Sequence, residues 1–295
     1  MKRVAMTSRI SKRAIKWSIA SVIIISVLAI ISIFAFNNNL TLSSYNIMTD
    51  KINDGSTIRI VLLADLHATL FGEDQRPLLQ KIESQEPDLI LLAGDIIVDS
   101  IPDTATQLFL AGIQDLAPIY YVTGNHEYWG PNAENIQTIR NTILSYGITI
   151  LSDAYDQIEV NGNSLIIAGV EDPDKVNAVP AYDQVESIRE AFYNISDYDC
   201  YKIIISHRPE NLDLFSELSF DLVVTGHTHG GQFRIPFLLN GLYAPEQGLF
   251  PKFAGGLYTY DELILIISRG LATDHPRLPR VFNPPEVVTI VLSAS

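Results

Sequence analysis

The segment Asp221-Leu-Val-Val-Thr-Gly-His-Thr-His-Gly-Gly-Gln232 contains the features that most constrain the fold of this chain. Residues 222–224 are apolar, as in a short buried strand, and Gly226 permits a sharp turn directly after it. His227 and His229 follow with one residue between them. In an irregular turn, two histidines at this spacing point at separate positions, which suits two metal ions better than one. An isolated pair of this kind is equally compatible with two solvated loop histidines.

The chain has 295 residues, of which 47% are hydrophobic, so it can bury a substantial core in one large domain or two small ones. All acidic residues lie at position 50 or later, where 14 basic residues face 34 acidic ones, a formal charge of −20. Such a field repels polyanions, and general nucleic-acid binding is therefore disfavoured. Cys200 is the single cysteine, which excludes an intrachain disulfide and a thiolate metal cluster.

The N-terminus has the composition of a membrane anchor. Residues 17–36 carry no charge and, as a helix, would just cross the ~30 Å hydrocarbon layer. The basic residues of segment 1–16 predict a cytoplasmic N-terminus and an extracytoplasmic C-terminal domain. A cleaved signal peptide is the alternative, but the apolar stretch is long, and a cut after Ala35 would place Ile33 at the outer recognition position. We predict a basic N-terminus at 1–16, a transmembrane helix at 17–36, a tether at 37–55 and a globular domain at 56–295.

Strand and helix patterns alternate through the globular part. Apolar runs predict strands at 58–64, 88–93, 119–122, 158–160, 164–170, 201–206, 222–224, 263–267 and 287–292. Helical patterns cover 76–85, 103–116, 133–146, 185–193 and 210–218, and Asn161-Gly162-Asn163 indicates a hairpin. This alternation predicts a layered α/β fold with a parallel or mixed sheet. In such folds, ligands bind beyond the carboxyl ends of the strands.

Five predicted strands end in residues that commonly bind metals. These residues are Asp65 and His67, Asp95, Asn125 and His126, His207, and His227 and His229. One such residue at a strand end is more often a turn or capping residue than a ligand. Five coincidences favour a shared site, and among the histidines only His275 lies outside this set. We interpret His275 as a loop histidine without a metal.

In chain order the motifs are Asp65-Leu66-His67, Gly94-Asp95, Gly124-Asn125-His126-Glu127, His207 and Gly226-His227-Thr228-His229. This pattern resembles that of the calcineurin-like metallophosphoesterase superfamily over residues 57–292. Further similarity to its membrane-associated or exported bacterial branch comes from Gly230-Gly231-Gln232, Ser268-Arg269-Gly270 and Phe282-Asn283-Pro284-Pro285-Glu286. The resemblance implies a double-sheet α/β sandwich flanked by helices, here preceded by one transmembrane helix.

The resemblance also implies two divalent metal ions. One would lie among Asp65, His67, Asp95 and His229, and the other among Asp95, Asn125, His207 and His227, with Asp95 bridging both. Two metals about 3.5–4 Å apart lower the pKa of a shared water, giving a hydroxide nucleophile, and neutralise charge on phosphoryl oxygens. Carboxylate, amide and imidazole ligands suit Mn, Fe or Zn. His126 is expected off the metals, where it stabilises the transition state or protonates the leaving group.

Other residues are candidates for a surrounding layer. Glu127 is expected to orient its neighbours through hydrogen bonds or simply to begin a helix. Arg208, Arg269, Arg277 and Arg280 could contact a second phosphate or a headgroup, with structural pairing as the alternative. Seven aromatic residues fall between positions 233 and 260, namely Phe233, Phe237, Tyr243, Phe250, Phe253, Tyr258 and Tyr260. They either cover the sheet or face an acyl chain or a bilayer surface.

These features predict a hydrolase of phosphodiester or pyrophosphate bonds that acts on envelope-associated or lipid-linked substrates at the cell membrane. A protein phosphatase is the alternative enzyme. A metal-binding domain without turnover, or a structural membrane protein without metal, is the alternative of a different class.

Overall fold

The computed structural model of the protein describes residues 12–98, 104–129, 131–273 and 279–295. The predictions for His275 and Arg277 lie outside the described residues. In chain order the helices and strands are α1 Lys12–Ala35, β1 Thr41–Thr49, β2 Thr57–Leu63, α2 Arg76–Glu83, β3 Leu89–Ala93, α3 Thr104–Ile113, β4 Ile119–Val122, α4 Pro131–Ser145, β5 Thr149–Ile150, β6 Ala154–Val160, β7 Asn163–Gly169, α5 Gln184–Ala191, β8 Tyr201–Ile205, α6 Leu212–Glu217, β9 Leu222–Thr225, β10 Tyr243–Ala244, β11 Gly248–Leu249, β12 Gly256–Tyr260, β13 Leu263–Ile267 and β14 Glu286–Ala294.

Two six-stranded sheets form the body of the protein. The first has the order β1-β14-β2-β3-β4-β5, in which only the β14–β2 pair is antiparallel. The second has the order β12-β13-β9-β8-β7-β6, with antiparallel pairs at both edges and parallel pairs between them. The sheets are therefore mixed, with parallel centres, as the alternation of strand and helix predicts.

The sheets pack face to face and carry helices on their outer faces. Successive residues of a strand point to opposite faces, so Ile60 and Leu62 pack toward the second sheet while Val61 packs outward. Residues from β8 and β9 complete this central layer. The outer face of the first sheet is covered by apolar residues of α2, α3 and α4, and that of the second sheet by α5 and α6. The predicted double-sheet α/β sandwich flanked by helices is confirmed.

The predicted hairpin at Asn161-Gly162-Asn163 is present, because β6 and β7 pair antiparallel across it. Asn161 and Gly162 adopt φ values of 51° and 75°, the left-handed backbone that a tight hairpin turn requires. β6 begins at Ala154, four residues before the predicted strand at 158. Residues 154–157 are largely polar and partly exposed, because β6 lies at the edge of its sheet. Their sequence therefore lacks the apolar run by which the other strands were predicted.

The segment predicted as a tether at 37–55 contains a nine-residue strand, which corrects that prediction. β1 pairs in parallel with β14, so that Thr41 lies opposite Glu286 and Thr49 opposite Ala294. Its one buried residue, Ile47, packs into the central layer, and most of its other side chains are exposed in part. Sequence patterns did not reveal the strand because it is mostly polar and its partner lies at the other end of the chain.

α1 precedes the sandwich, and its large apolar side chains between Trp17 and Phe34 are exposed. Its stretch Lys16–Ala35 is long and apolar enough to cross a membrane. A signal sequence near an N-terminus has the same properties. The helix ends against the domain, where the backbone N–H of Phe282 donates to the carbonyl of Ala35 at 2.6 Å.

Candidate metal centre

The polar residues that follow five strands meet at one edge of the sandwich. β2, β3 and β4 are parallel neighbours in the first sheet, and β8 and β9 are parallel neighbours in the second. Their carboxyl ends therefore lie together. The site contains all eight residues predicted from the sequence: Asp65, His67, Asp95, Asn125, His126, His207, His227 and His229.

The first group of candidate ligands consists of Asp65, His67 and His229, whose ligand atoms all lie within 4.8 Å of one another. Nε2 of His67 is 3.7 Å and Nε2 of His229 is 3.8 Å from Oδ1 of Asp65. These distances are too long for hydrogen bonds, although the three atoms point into one small space.

The second group consists of Asp95, His207 and His227, again within 4.8 Å, together with Asn125. Nε2 of His207 lies 3.0 Å from Oδ1 of Asn125 and 3.1 Å from Nδ1 of His227. The same Nε2 is 3.3 Å from Oδ2 of Asp95. Two imidazole nitrogens and two oxygens thus converge, which is the donor set expected for a divalent transition metal.

Asp95 lies between the two groups. Its Oδ2 is 3.3 Å from Nε2 of His67 in the first group and 3.3 Å from Nε2 of His207 in the second. Its Oδ1 accepts a hydrogen bond from the backbone N–H of His126 at 2.9 Å, which holds the carboxylate in place. A carboxylate in this position is able to contact ions in both groups at once.

Hydrogen bonds on the far side of two imidazoles set which nitrogen faces the site. Nδ1 of His207 donates to the carbonyl of Ala93 at 2.8 Å, which leaves Nε2 for the centre. Nε2 of His227 contacts Oε2 of Glu246 at 2.5 Å, which leaves Nδ1 directed at His207. Such outer partners fix the tautomer and orientation of metal-binding histidines.

Several candidate ligands have an unusual backbone conformation. Asp65, His67, Asp95, His227 and His229 all have φ between 45° and 69°, a region that residues other than glycine seldom adopt. Such strain is typical of functional sites, where the surrounding fold imposes it. It turns the chain sharply after each strand, so that the side chain points back across the end of the sheet.

Glycines before the ligands allow close approach. A Cβ added at Gly94, where φ is 81°, would lie 2.6 Å from Nδ1 of His207. One added at Gly226 would lie 2.7 Å from Oδ2 of Asp65. Both distances are far below van der Waals contact, which explains physically why Gly-Asp and Gly-His are adjacent in these motifs.

Glu127 organises two of the ligand-bearing loops. Its carboxylate is fully buried and accepts four backbone hydrogen bonds, from Asp95 at 3.0 Å, Ile96 at 2.9 Å, Ile97 at 3.0 Å and Gly124 at 2.8 Å. The side chain thereby joins the turn after β3 to the turn after β4. Of the two roles predicted for Glu127, the geometry favours orientation of its neighbours, although the residue also lies in a 3₁₀ turn, His126–Tyr128.

His126 lies at the open side of the site. Its side chain is 30% exposed, against 14% for His67 and 13% for His229. Its ring stacks at 4.3 Å on Trp129, a half-exposed indole that the sequence interpretation missed. Nε2 of His126 is 4.0 Å from Oδ2 of Asp95, and with His67 they make a third possible ligand group. The imidazole is thus the candidate residue most accessible to a substrate.

Electrostatic interactions divide the site into charged and neutral groups. Burial alone would raise the pKa of Asp95, but His207 and His67 hold it well below its usual value. Burial alone would lower the pKa of His207, but Asp95 overcomes this and raises it to about 10. Burial dominates at His126, whose pKa falls to about 4, and at His229, whose pKa lies well below its usual value. The ionised Asp95 and the neutral His229 are therefore in the forms that bind cations, whereas His207 must release a proton first.

Arg208 is near the site but is held by carboxylates. Its Nε and Nη2 contact Asp172 at 2.7 and 2.8 Å, and further contacts reach Asp174 at 3.0 Å and Glu246 at 3.1 Å. These acidic neighbours raise its pKa against the effect of burial. The geometry favours structural pairing, the alternative given for this residue, over a direct contact with phosphate.

Arg269 and Arg280 also serve structural contacts. Arg269 pairs with Glu286 at 2.6 Å and reaches Thr41 and Ser43 at 3.3 and 3.4 Å, which fastens β1 to β14. Arg280 is buried and donates to the carbonyl of Arg269 at 2.8 Å. Burial lowers the pKa of Arg280 to about 10.

Two residues that support candidate ligands were not predicted. Asn283 donates to the carbonyl of His229 at 2.7 Å and to that of Gln232 at 3.2 Å, and so holds the last histidine turn. It lies within the Phe282–Glu286 motif, which was noted only as a mark of resemblance. Glu246 supports His227 from a turn between β10 and β11, where no sequence signal distinguishes it from a solvated loop acid.

The residues present fit divalent cations. Nε2 of His67 is buried and has no hydrogen-bond partner among the described residues, although it points between two carboxylates. Leaving a buried polar atom unsatisfied is costly, and metal binding removes that cost. The donors comprise carboxylates, one amide oxygen and imidazoles, a mixture typical of Mn, Fe and Zn sites.

Comparisons with known proteins relate the chain to several others. An uncharacterized metallophosphoesterase of Aquifex aeolicus is 28% identical over 261 residues, which cover 86% of this chain and 92% of that protein. Phosphodiesterase YaeI of Escherichia coli is 27% identical over 228 residues, which cover 75% and 77% of the two chains. The solved phosphopantetheinyl hydrolase of Mycobacterium tuberculosis aligns with a TM-score of 0.47 and 15% identity over 76% of this chain and 92% of its own. The model of the calcineurin-like phosphoesterase family matches residues 58–231, more than half of the sequence and all the candidate ligands, and the chain therefore belongs to that family.

Proposed function

We propose that the protein hydrolyses phosphodiester or pyrophosphate bonds with two divalent metal ions, on envelope-associated or lipid-linked substrates. The observation that carries the proposal is the position of Asp95, whose Oδ2 lies 3.3 Å from an imidazole of each ligand group. Family membership supports a metal-dependent phosphoesterase in general. The number of metals, the catalytic role of each residue and the class of substrate are the added parts of the proposal.

Asp65, His67, Asp95 and His229 would hold one ion, and Asp95, Asn125, His207 and His227 the other. When bound, two such ions supply an activated water and neutralise charge on a phosphoryl group. The protein contributes the arrangement of donors and the partners that orient them, including Glu127 for the turns and Glu246 for His227.

His126 would act on the substrate itself. At neutral pH its imidazole is neutral before substrate binds, because burial lowers its pKa to about 4. A neutral imidazole donates an N–H hydrogen bond to a phosphoryl oxygen, and an adjacent phosphate anion favours its protonated form. From its exposed position, Nε2 can then deliver a proton to the departing oxygen. Trp129 restrains the ring through the stacking contact at 4.3 Å.

The N-terminal helix supports the membrane part of the proposal. α1 would cross the membrane with residues 1–16 in the cytoplasm, and domain 56–295 would lie on the other side. There it would meet envelope phosphoesters rather than cytosolic ones. Protein phosphatase activity is the alternative, and a metal-binding domain without turnover is the second alternative.

The test uses the full chain purified in detergent, with metal content measured alongside hydrolysis of a chromogenic phosphodiester. We expect His126→Ala to keep its metal and to lose about 100-fold or more in turnover. Asp95→Ala should lose metal and activity together. Parent-like hydrolysis by His126→Ala would contradict the role of His126, and a parent protein with bound metal but no hydrolysis would favour the domain without turnover. Faster cleavage of phosphopeptides than of diesters would favour the protein phosphatase.

A further inference from the structure

We propose that residues 235–250, here called the apolar tip, contact the surface of the lipid bilayer that α1 crosses. The metal centre beside the tip would then act on phosphoesters located at that surface. This inference rests on the proposed membrane anchor and on the proposed phosphoesterase activity, and it adds the surface through which the enzyme meets its substrate.

The apolar tip exposes large hydrophobic side chains. Phe237 is fully exposed, and the exposed fractions are 85% for Leu238, 66% for Leu249 and 67% for Phe250. Ile235 is 39% exposed. Single exposed apolar residues are common on soluble proteins, but this density within one short segment is typical of a surface that meets a protein or a membrane.

The tip is also nearly free of charge, in contrast to the rest of the domain. Its only charged residue is Glu246, whose carboxylate turns toward His227 at 2.5 Å and Arg208 at 3.1 Å. From position 50 onward the chain carries 14 basic and 34 acidic residues. An uncharged, apolar segment is the part of such a domain that can enter the boundary of headgroups and acyl chains without electrostatic cost.

The fold attaches the tip next to the end of α1, which selects the bilayer as its partner. The N–H of Phe282 donates to Ala35 at the end of α1, at 2.6 Å. The adjacent Val281 forms a bridge with Phe233, and its carbonyl accepts from Arg234 at 2.9 Å. Paired backbones lie about 5 Å apart and successive Cα atoms about 3.8 Å apart, so the tip begins within about 20 Å of the end of α1. A membrane crossed by α1 is therefore within reach of the tip.

The other side of the same segment supports the metal centre. The N–H of Leu242 donates to the carbonyl of Gly231 at 2.9 Å, directly after the last histidine turn. The turn between β10 and β11 places Glu246 on His227. One short segment thus links the exposed apolar side chains to a candidate ligand, so contact with a bilayer would bring the headgroup region close to the metals.

The first experiment measures membrane contact in the full chain reconstituted into vesicles of phosphatidylethanolamine and phosphatidylglycerol. A fluorophore is attached to Phe237→Cys, with Ile23→Cys in α1 and Tyr193→Cys, 79% exposed in the parent, as references. All three carry Cys200→Ala, which removes the buried native thiol. We expect quenchers in the lipid to reduce fluorescence at positions 23 and 237 but not at 193. Equal quenching at 237 and 193 would overturn the proposal, and absence of quenching at 23 would overturn both the anchor and the proposal.

The second experiment asks whether the contact matters for hydrolysis. Leu238→Ser is compared with Leu144→Ser, the same change at another exposed leucine, 53% exposed on α4. We expect Leu238→Ser to slow cleavage of a fluorogenic phosphodiester lipid in vesicles about tenfold, because the variant loses the apolar side chain that the bilayer would bury. Cleavage of a soluble chromogenic diester should stay unchanged, and Leu144→Ser should change neither rate.

The outcomes separate this inference from the proposed function. Equal rates for Leu238→Ser and Leu144→Ser on the vesicle substrate would overturn the membrane contact while the soluble diester assay still supported the phosphoesterase. A parent protein that cleaved neither substrate would contradict the proposed function itself. A parent that cleaved only the soluble diester would contradict the membrane contact and the lipid-linked class of substrate, and would leave the phosphoesterase activity itself supported.

Discussion

Replacing Glu127 tests whether one buried carboxylate holds two ligand-bearing turns together. In the parent, its two oxygens accept the backbone N–H groups of Asp95, Ile96, Ile97 and Gly124. Glu127→Ala removes all four acceptor contacts. In Glu127→Gln one oxygen becomes an amide nitrogen, so two of the four N–H groups face another donor whichever way the amide is turned.

The magnitude follows from two opposing effects. An unsatisfied buried donor costs about 1–3 kcal/mol, so the alanine variant loses roughly 4–12 kcal/mol of hydrogen bonding. In the other direction, burial and the nearby Asp95 raise the pKa of Glu127 to about 7. Ionisation of this buried carboxyl at neutral pH is therefore unfavourable even with the backbone donors of Ile97 and Gly124 in place, and the substitution removes that cost. The lost hydrogen bonds dominate in the alanine variant, and the two effects come closer to balance in the glutamine variant.

The assay is urea unfolding of the full chain in detergent, with and without bound metal, together with metal content. Glu217→Gln, whose side chain is 60% exposed in the parent, is the matched control and should unfold like the parent. We expect Glu127→Ala to be less stable than the parent by several kcal/mol and to bind metal poorly. The stability and metal content of Glu127→Gln should lie between those of the parent and those of Glu127→Ala. If Glu127→Ala unfolded within about 1 kcal/mol of the parent, the structural role of its four hydrogen bonds would be refuted.

Three further predictions concern the metal centre and the single thiol. Glu246→Ala should weaken metal binding by about 10–100-fold, because His227 loses the partner that orients its ring, and unchanged affinity in a metal titration would contradict this. Asp95 raises the pKa of His207 to about 10 against the effect of burial, so a metal ion must displace a proton from this imidazole. The affinity for metal should therefore increase about tenfold for each unit by which the pH rises toward that value. A titration with equal affinity at low and high pH, corrected for metal hydrolysis, would exclude that proton release. Burial also raises the pKa of the Cys200 thiol, so thiol reagents should label it only after unfolding, and rapid labelling of the folded protein would contradict its buried position.

The candidate ligands could be predicted because local features mark each of them. Each follows an apolar strand, and glycines such as Gly94 and Gly226 precede them where a Cβ would collide with another ligand. The alternation of apolar strands with amphipathic helices is likewise a local property, and it predicts a layered α/β fold. Neither property depends on knowing which strands become neighbours.

Residues whose role depends on distant partners could not be assigned in this way. Arg208 and Arg269 stood out as cations in an acidic domain, yet their carboxylate partners lie far away in the sequence or in an unmarked loop. Glu246 is an ordinary loop acid until the fold places it on His227. The strand at Thr41–Thr49 has a polar composition, and its pairing with β14 depends on the two ends of the chain meeting.

The sequence by itself determined the types of donor available, their order along the chain, the apolar N-terminal helix and the acidic character of the domain. Each of these is a property of composition or of short-range spacing. Only the tertiary structure decided that β2, β3 and β4 lie beside one another, that β8 and β9 face them, and that Asp95 falls between two histidine groups. It also decided that the apolar tip remains exposed beside the end of α1, because burial depends on which surfaces the finished fold leaves without a partner.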